Sequence, residues 1–405
     1  MDNMSKYIFN LRRFLSGTIT FGVLNTSLIC VVLVPFFKDS GILPLQLSML
    51  IMMKKLGRLL FDSVFGLLFD RFGAKKVFFI GRVSKLISFV ILLQEPSFKV
   101  FALSMLFDGI SYSAMYGKIG AFIYNTLSAH EKLNFYTRAM SVYYFSTSVF
   151  ISSASFLAAL LLKYYGYNLL IQISIILNIL SILILLFIIP SNKENKVEKF
   201  VSRSVKDIII TIKILIKRQP QFLYLLVFYG LVNFLSWQFG SISAMILMDM
   251  GLKNSAVVSV GATCKVILAV GCCLSYFLSN GIKIKKCTNI FTCFVAFAIV
   301  TAVLYNEYIM MAFMYSIVLI YTTIEVSIEK NLDRVSDKRI RGTAISLAMT
   351  FCNIFTMASL ALVGFIAQYF SYHTAFVVIT IIVSAITLFV VFKLRKFDKI
   401  VSEMK

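Results

Sequence analysis

Twelve stretches of about 20 mostly apolar residues recur along this chain, and they constrain its fold more than any motif does. A helix needs about 20 apolar residues to cross a hydrocarbon core of roughly 30 Å. In lipid, only helices and closed barrels satisfy every backbone hydrogen bond internally. The stretches fall at about 17–37, 43–66, 77–93, 99–126, 138–162, 168–189, 221–248, 254–279, 288–305, 307–328, 342–369 and 372–393. Composition agrees, since 59% of the 405 residues are hydrophobic and 14% are charged, against about a quarter charged in a soluble domain. The reading is an all-α polytopic membrane protein, and a water-soluble fold is excluded. Pro35, Pro44, Pro96, Pro190 and Pro220 all sit at or near a proposed helix end, where the missing N–H does least harm.

The formal charge of +22, from 40 basic and 18 acidic residues, would suggest nucleic acid in a soluble protein. Here the basic residues alternate from loop to loop. With both termini inside, the cytoplasmic side collects 30 of them, the short outside loops 4 and the membrane interior 6. That is the asymmetry expected of a cytoplasmic excess of Lys and Arg. The charge therefore reports orientation, and no nucleic-acid partner is expected. The expected location is the inner cell membrane, with the lipid bilayer as solvent and a monomer as the working unit. Seven Cys without metal-type spacing and only two His leave no zinc site or disulfide framework to expect. The N-terminal segment runs straight into the first span without a small-residue cleavage site and reads as a retained helix.

The longest connection falls mid-chain. The division is a six-helix bundle at 1–189, a cytoplasmic linker at 190–220 and a second six-helix bundle at 221–405. Within the linker, Val201, Val205, Ile208, Ile209, Ile212, Leu215 and Ile216 recur at helical spacing, with Arg203, Lys206, Lys213 and Lys217 largely elsewhere. This is the pattern of an amphipathic helix lying on the inner leaflet. The halves also echo each other. GLLFDRFGAKK at 66–76 falls on YFLSNGIKIKK after a shift of 210 residues, and Arg138-Ala-Met-Ser falls on Arg341-Gly-Thr-Ala-Ile-Ser after a shift of 203. Internal repeats of this kind belong to rocking transporters.

Gly66, Asp70, Arg71, Gly73, Lys75 and Lys76 reproduce, between the second and third spans, the signature loop of the major facilitator superfamily, and at this point the chain resembles that family. Ala74 stands where the family usually has Arg. The resemblance implies a fold of two pseudo-symmetric six-helix bundles and transport by alternating access, with the signature loop as a latch between the halves. Physically, Gly66 would permit close helix approach and Gly73 a tight turn. Asp70 would face a helix N-terminus, and Arg71 with the Lys pair would favour the inner side. AFIYNTL at 121–127 is similar to the Ala-x-x-Tyr-Asp-Ser-Leu stretch of a poorly characterised bacterial branch often labelled as drug efflux, with Asn125 in place of the aspartate. The fifth span, from Ser141 to Leu162, contains no Gly or Pro. It therefore lacks the glycine-proline motif of the superfamily's drug/proton antiporters.

Charges inside the spans point to the substrate, because each costs on the order of 3 kcal/mol at mid-bilayer and should face protein or water. Lys54, Lys55, Asp108 and Lys265 fall roughly 13–18 Å from the outer helix ends, near the midplane. The Lys excess there favours an organic or phosphorylated anion, with Lys55 and Lys265 as anchors from the two halves. Asp108 would either neutralise Lys54 or Lys55, or carry protons as a coupling ion. Asp62, Lys85 and Arg58 read as snorkelling or local pairs. Lys118 and Glu325, both about 27 Å deep, are expected to form a gate bridge in the outward-facing state. Asn25, Tyr144 and Trp237 add uncharged lining. No enzyme chemistry, cofactor or metal is expected, and no nucleotide-binding glycine loop is present. The competing readings are an efflux permease for hydrophobic compounds and a non-transporting sensor or assembly factor on the same fold.

Overall fold

Helix starts in this chain follow local chemistry. Pro44 occupies a first-turn position, where its missing N–H costs nothing, and the Gln46 side chain accepts the Leu43 N–H at 3.1 Å. Ser97 accepts the N–H of Val100, Asn306 that of Tyr308, and Ser371 that of Thr374. Each supplies one of the partners that a helix N-terminus lacks. The computed structural model describes residues 11–24, 28–115, 118–132, 135–187, 220–278, 284–335 and 341–403. The helix expected within the 190–220 linker lies outside them except at Pro220.

The helices are α1 (Leu11–Leu24), α2 (Leu28–Asp39), α3 (Pro44–Phe72), α4 (Ala74–Ile91), α5 (Phe98–Met115), α6 (Lys118–Ala129) and α7 (Tyr136–Phe187), followed by α8 (Pro220–Asp249), α9 (Asn254–Leu278), α10 (Ile284–Leu304), α11 (Glu307–Val335), α12 (Arg341–Tyr369) and α13 (Tyr372–Glu403). No strand occurs among the described residues. The all-α expectation therefore holds. Helix α7 contains two crossings, because Gly166 at φ 73° and ψ −170° interrupts the run where an outside loop is expected.

Among the described residues, five segments are long and apolar enough to cross a bilayer on length and composition alone: Val142–Phe187, Asn254–Gly271, Lys286–Leu304, Cys352–Tyr369 and Tyr372–Leu394. Helix α3 has the length but carries Lys54, Lys55, Arg58 and Asp62 near its middle. Its charges are the reason it reads as less apolar.

The described chain gathers into two compact units, one of Met1–Glu194 with Asn254–Ala269 and the other of Asn195–Lys253 with Val270–Lys405. In the first, α5 packs along both α3 and α4, and α7 packs against α1, α2 and α4. The α3–α5 contact is backbone to backbone. A Cβ on Gly57 would lie 2.6 Å from the Leu106 carbonyl oxygen, and one on Gly109 would overlap the Lys54 carbonyl. Only glycine fits at such a crossing. Phe14, Phe21, Phe69, Phe78 and Phe122 fill the core beside it.

The first part of α9 joins this unit through a cluster of polar side chains. Tyr167 Oη donates to Asp39 Oδ2 at 2.6 Å, and Asn254 Nδ2 donates to the same oxygen at 2.6 Å. Ser152 Oγ donates to the Ala262 carbonyl at 3.2 Å. Burial and the hydrogen bond to Asp39 hold the Tyr167 phenol well above its usual range, so it stays a donor at physiological pH.

In the second unit, α8 packs against α11, α12 and α13, and α10 against α11 and α13. Its core is aromatic. Phe228 meets Phe291 edge-on at 5.2 Å, and Phe313 stacks on Phe294 at 5.0 Å and meets Phe376 at 6.0 Å.

Replacing Gly109 with Leu should separate α3 from α5 and sharply lower the yield of folded protein on size-exclusion chromatography in detergent. Wild-type yield and unfolding temperature in Gly109→Leu would refute the close crossing.

Candidate functional site

The crossing at Gly57 and Gly109 brings Lys54 of α3 beside Asp108 of α5, because each charged residue neighbours the turn in which the two backbones touch. Lys54 Nζ lies 2.8 Å from Asp108 Oδ2, and Lys85 Nζ of α4 forms an ion pair with Oδ1. One carboxylate thus serves two ammonium groups. Lys85 also donates to Cys30 Sγ of α2 at 3.0 Å. The three charges differ in access, since the side chains of Asp108 and Lys85 are 5% and 9% exposed and that of Lys54 is 32% exposed. Tyr112 lies against the open side, with its ring centroid 5.7 Å from Lys54 Nζ and 5.0 Å from the Arg58 guanidinium. Both distances are in the range of cation–π attraction.

One turn from Lys85 on α4, Arg82 is 1% exposed. Its Nη1 donates to Asn178 Oδ1 of α7 at 3.3 Å, and Asn178 Nδ2 donates back to the Arg82 carbonyl at 3.0 Å. The Phe21 ring of α1 lies 5.2 Å away, and Asp108 is within electrostatic reach. Arg82 lies inside the 77–93 span, whereas the charge alternation counts it with the cytoplasmic flank, so the interior holds one cation more than that count. Its spacing of three from Lys85, on one helix face, is the signal in the sequence that points to it.

Several sequence expectations change. Lys85 does not snorkel but is buried against Asp108. Asp62 does not pair with Arg58 on its own helix. It accepts from Lys118 Nζ at 2.9 Å, and Lys118 also donates to the Ser113 carbonyl at 2.8 Å. The Glu325 side chain lies outside the described residues, as do Asn25 and the side chain of Trp237. Lys55 and Lys265 are partly buried, and Tyr144 is exposed beside the buried Tyr143 ring at 5.6 Å.

The signature loop is partly visible. Gly73 has φ 83°, a conformation that favours glycine, and forms the turn between α3 and α4. Among the described residues, a Cβ on Gly66 would meet nothing within 4 Å, and the tight contact between α3 and α5 is made by Gly57 and Gly109. Lys75 Nζ donates to the Leu186 carbonyl at 2.7 Å, placing a cation at the C-terminal end of α7, where the helix dipole favours it. Lys76 lies 5.4 Å from the Phe72 ring. The side chains of Asp70 and Arg71 are outside the described residues.

A family model for the Major Facilitator Superfamily matches residues 15–328, more than three quarters of the chain. The chain belongs to this superfamily. Among solved structures, it is similar to a point mutant of the nucleoside transporter NupG, with TM-score 0.74 and 12% identity, over 95% of this chain and 99% of that one. It is also similar to a D-xylose-proton symporter, with TM-score 0.65 and 13% identity, over 92% of this chain and 97% of that one. No curated protein matches it by sequence. At these identities the structural likeness carries the fold, and the superfamily membership makes this a membrane transporter.

Removing Asp108 would strand Lys85 as a buried charge, so Asp108→Ala should destabilise the protein by about 3–5 kcal/mol. The double variant Asp108→Ala/Lys85→Met should recover much of that loss. Thermal unfolding in detergent measures both, and an unchanged Asp108→Ala would count against the network.

Proposed function

We propose that this superfamily member is a secondary active transporter of a small organic or phosphorylated anion, working by alternating access with protons as the candidate coupling ion. The observation that carries this reading is the arrangement around Asp108. Lys54 and Lys85 share that single carboxylate, and the buried Arg82 lies one turn from Lys85 on α4. An interior with more cations than carboxylates has positive potential, and low-dielectric surroundings strengthen it. The names of the two similar structures refer to a nucleoside and a sugar, and the latter also to a proton. The cationic cluster favours a negatively charged solute here.

The anchor expected at Lys55 passes in this proposal to Lys54, the more accessible member of the cluster, and Lys265 remains the second anchor although its part of α9 groups with the same unit and not with the other half. Lys55, Tyr144, Asn25 and Trp237 complete the proposed lining. In the proposed topology both termini are cytoplasmic and the protein lies in the inner membrane.

Reconstituted in proteoliposomes, the protein should take up an anionic solute, and Lys54→Gln or Lys265→Gln should each lower uptake at least about tenfold, the value of one charge-assisted contact. Undiminished anion uptake in both variants would overturn the assignment.

The proposed inner gate joins Lys118 to Glu325. In this structure Lys118 donates to Asp62 and to the Ser113 carbonyl, and the gate would add Glu325 to its partners or displace one of them. Transport lost in Lys118→Glu and in Glu325→Lys should return in the double charge swap. Failure of that rescue would eliminate the bridge.

A further inference from the structure

Arg82 is the most deeply buried cation of the cluster, and the way its five N–H donors are used is informative. Nη1 is committed to Asn178, whose amide is itself fixed by the Arg82 carbonyl. Nε and Nη2 have no hydrogen-bond partner among the described residues. These two open positions are not scattered around the guanidinium. They lie on the same edge, where two parallel N–H bonds match the two oxygens of a carboxylate in a side-on, bidentate pair.

Leaving a buried guanidinium with one open edge is unfavourable unless something occupies that edge in another state. A purely structural arginine would be expected to satisfy its donors with backbone carbonyls or a carboxylate of its own chain. Asp108, the carboxylate that Lys85 on the same helix contacts, is already shared by two lysines. The surroundings fit an occluded subsite. Phe21 faces the guanidinium, and the Tyr143 ring sits where a Cβ on Gly22 would be 2.5 Å from it. Gly22 thus lets Tyr143 close against α1 over this region, next to the exposed Tyr144.

We propose that Arg82 is a substrate-binding residue whose Nε and Nη2 edge holds the carboxylate of an organic anion, with Asn178 fixing the orientation of the guanidinium and Tyr143 covering the site. The proposal rests on the anion-transport reading and narrows it to carboxylates. A second negative or polar group on the solute would then face the more accessible Lys54.

The test uses the full-length protein in detergent, with thermal unfolding followed against acetate, benzoate and succinate, and with chloride as an ionic-strength control and inorganic phosphate as a second oxyanion. Carboxylates should stabilise the wild type and chloride should not. Arg82→Lys, which keeps the charge and loses the two-pronged edge, should weaken carboxylate binding at least about tenfold. Asn178→Ala should weaken it less. Arg82→Met should lose the response while unfolding, without ligand, at a higher temperature than the wild type, because it removes a buried cation with open donors.

A full carboxylate response in Arg82→Lys, or a lower unfolding temperature for unliganded Arg82→Met, would overturn the proposal. Stabilisation by phosphate and not by any carboxylate would overturn it too, while leaving transport of phosphorylated anions intact. Conversely, undiminished flux in the Lys54 and Lys265 variants combined with loss of carboxylate binding in Arg82→Lys would sink those anchors and retain Arg82.

Discussion

Two glycines facing each other across α3 and α5 determine what the N-terminal helices can do. At Gly57 and Gly109 the backbones come so close that no side chain could stand between them. The residues one to three positions away are held at a distance set by main-chain contact, and among them are Lys54 and Asp108. An ion pair between flexible side chains on loosely packed helices would lose much of its energy to side-chain entropy. Here rigid elements supply the placement, and the charges are brought together by the packing and do not have to organise it.

From that crossing the charges grade inward. Lys54 is partly open, Lys85 and Asp108 are nearly closed off, and Arg82 is sealed beneath Phe21. Under the proposed anion transport, such a gradient would let the outermost cation attract the solute and bring the deeper ones into play when helices shift. Superfamily membership makes such motion the expected mode of work.

Much of this is legible in the sequence, and the rest is hidden for identifiable reasons. The helix positions follow from apolar length, and the turn at Gly73 from the signature loop, because both are local properties. Lys54 and Asp108 are recognisable by depth alone. Lys85, at the middle of the 77–93 span, has comparable depth, and what depth does not show is that packing of α4 on α5 gives it the same carboxylate as Lys54. Arg82 lies at midplane depth too and is missed because the charge alternation assigns it to the cytoplasmic flank, while its companion Asn178 is 96 residues distant. Gly66 belongs to a recognisable motif, yet no described residue lies within 4 Å of a Cβ built there, while the glycines at the crossing of α3 and α5 belong to no motif. Asp62 turns to Lys118 and not to Arg58 because spacing along one helix cannot reveal a competing partner on another.

The polar cluster joining Asp39, Tyr167 and Asn254 has a further consequence. Both donors are uncharged groups that converge on one carboxylate oxygen, so the tie between α9 and its neighbours contains no pair of opposite full charges. Dissolved ions screen attraction between full charges far more effectively than short-range hydrogen bonding. The fastening should therefore depend less on ionic strength than an ion pair in the same place would.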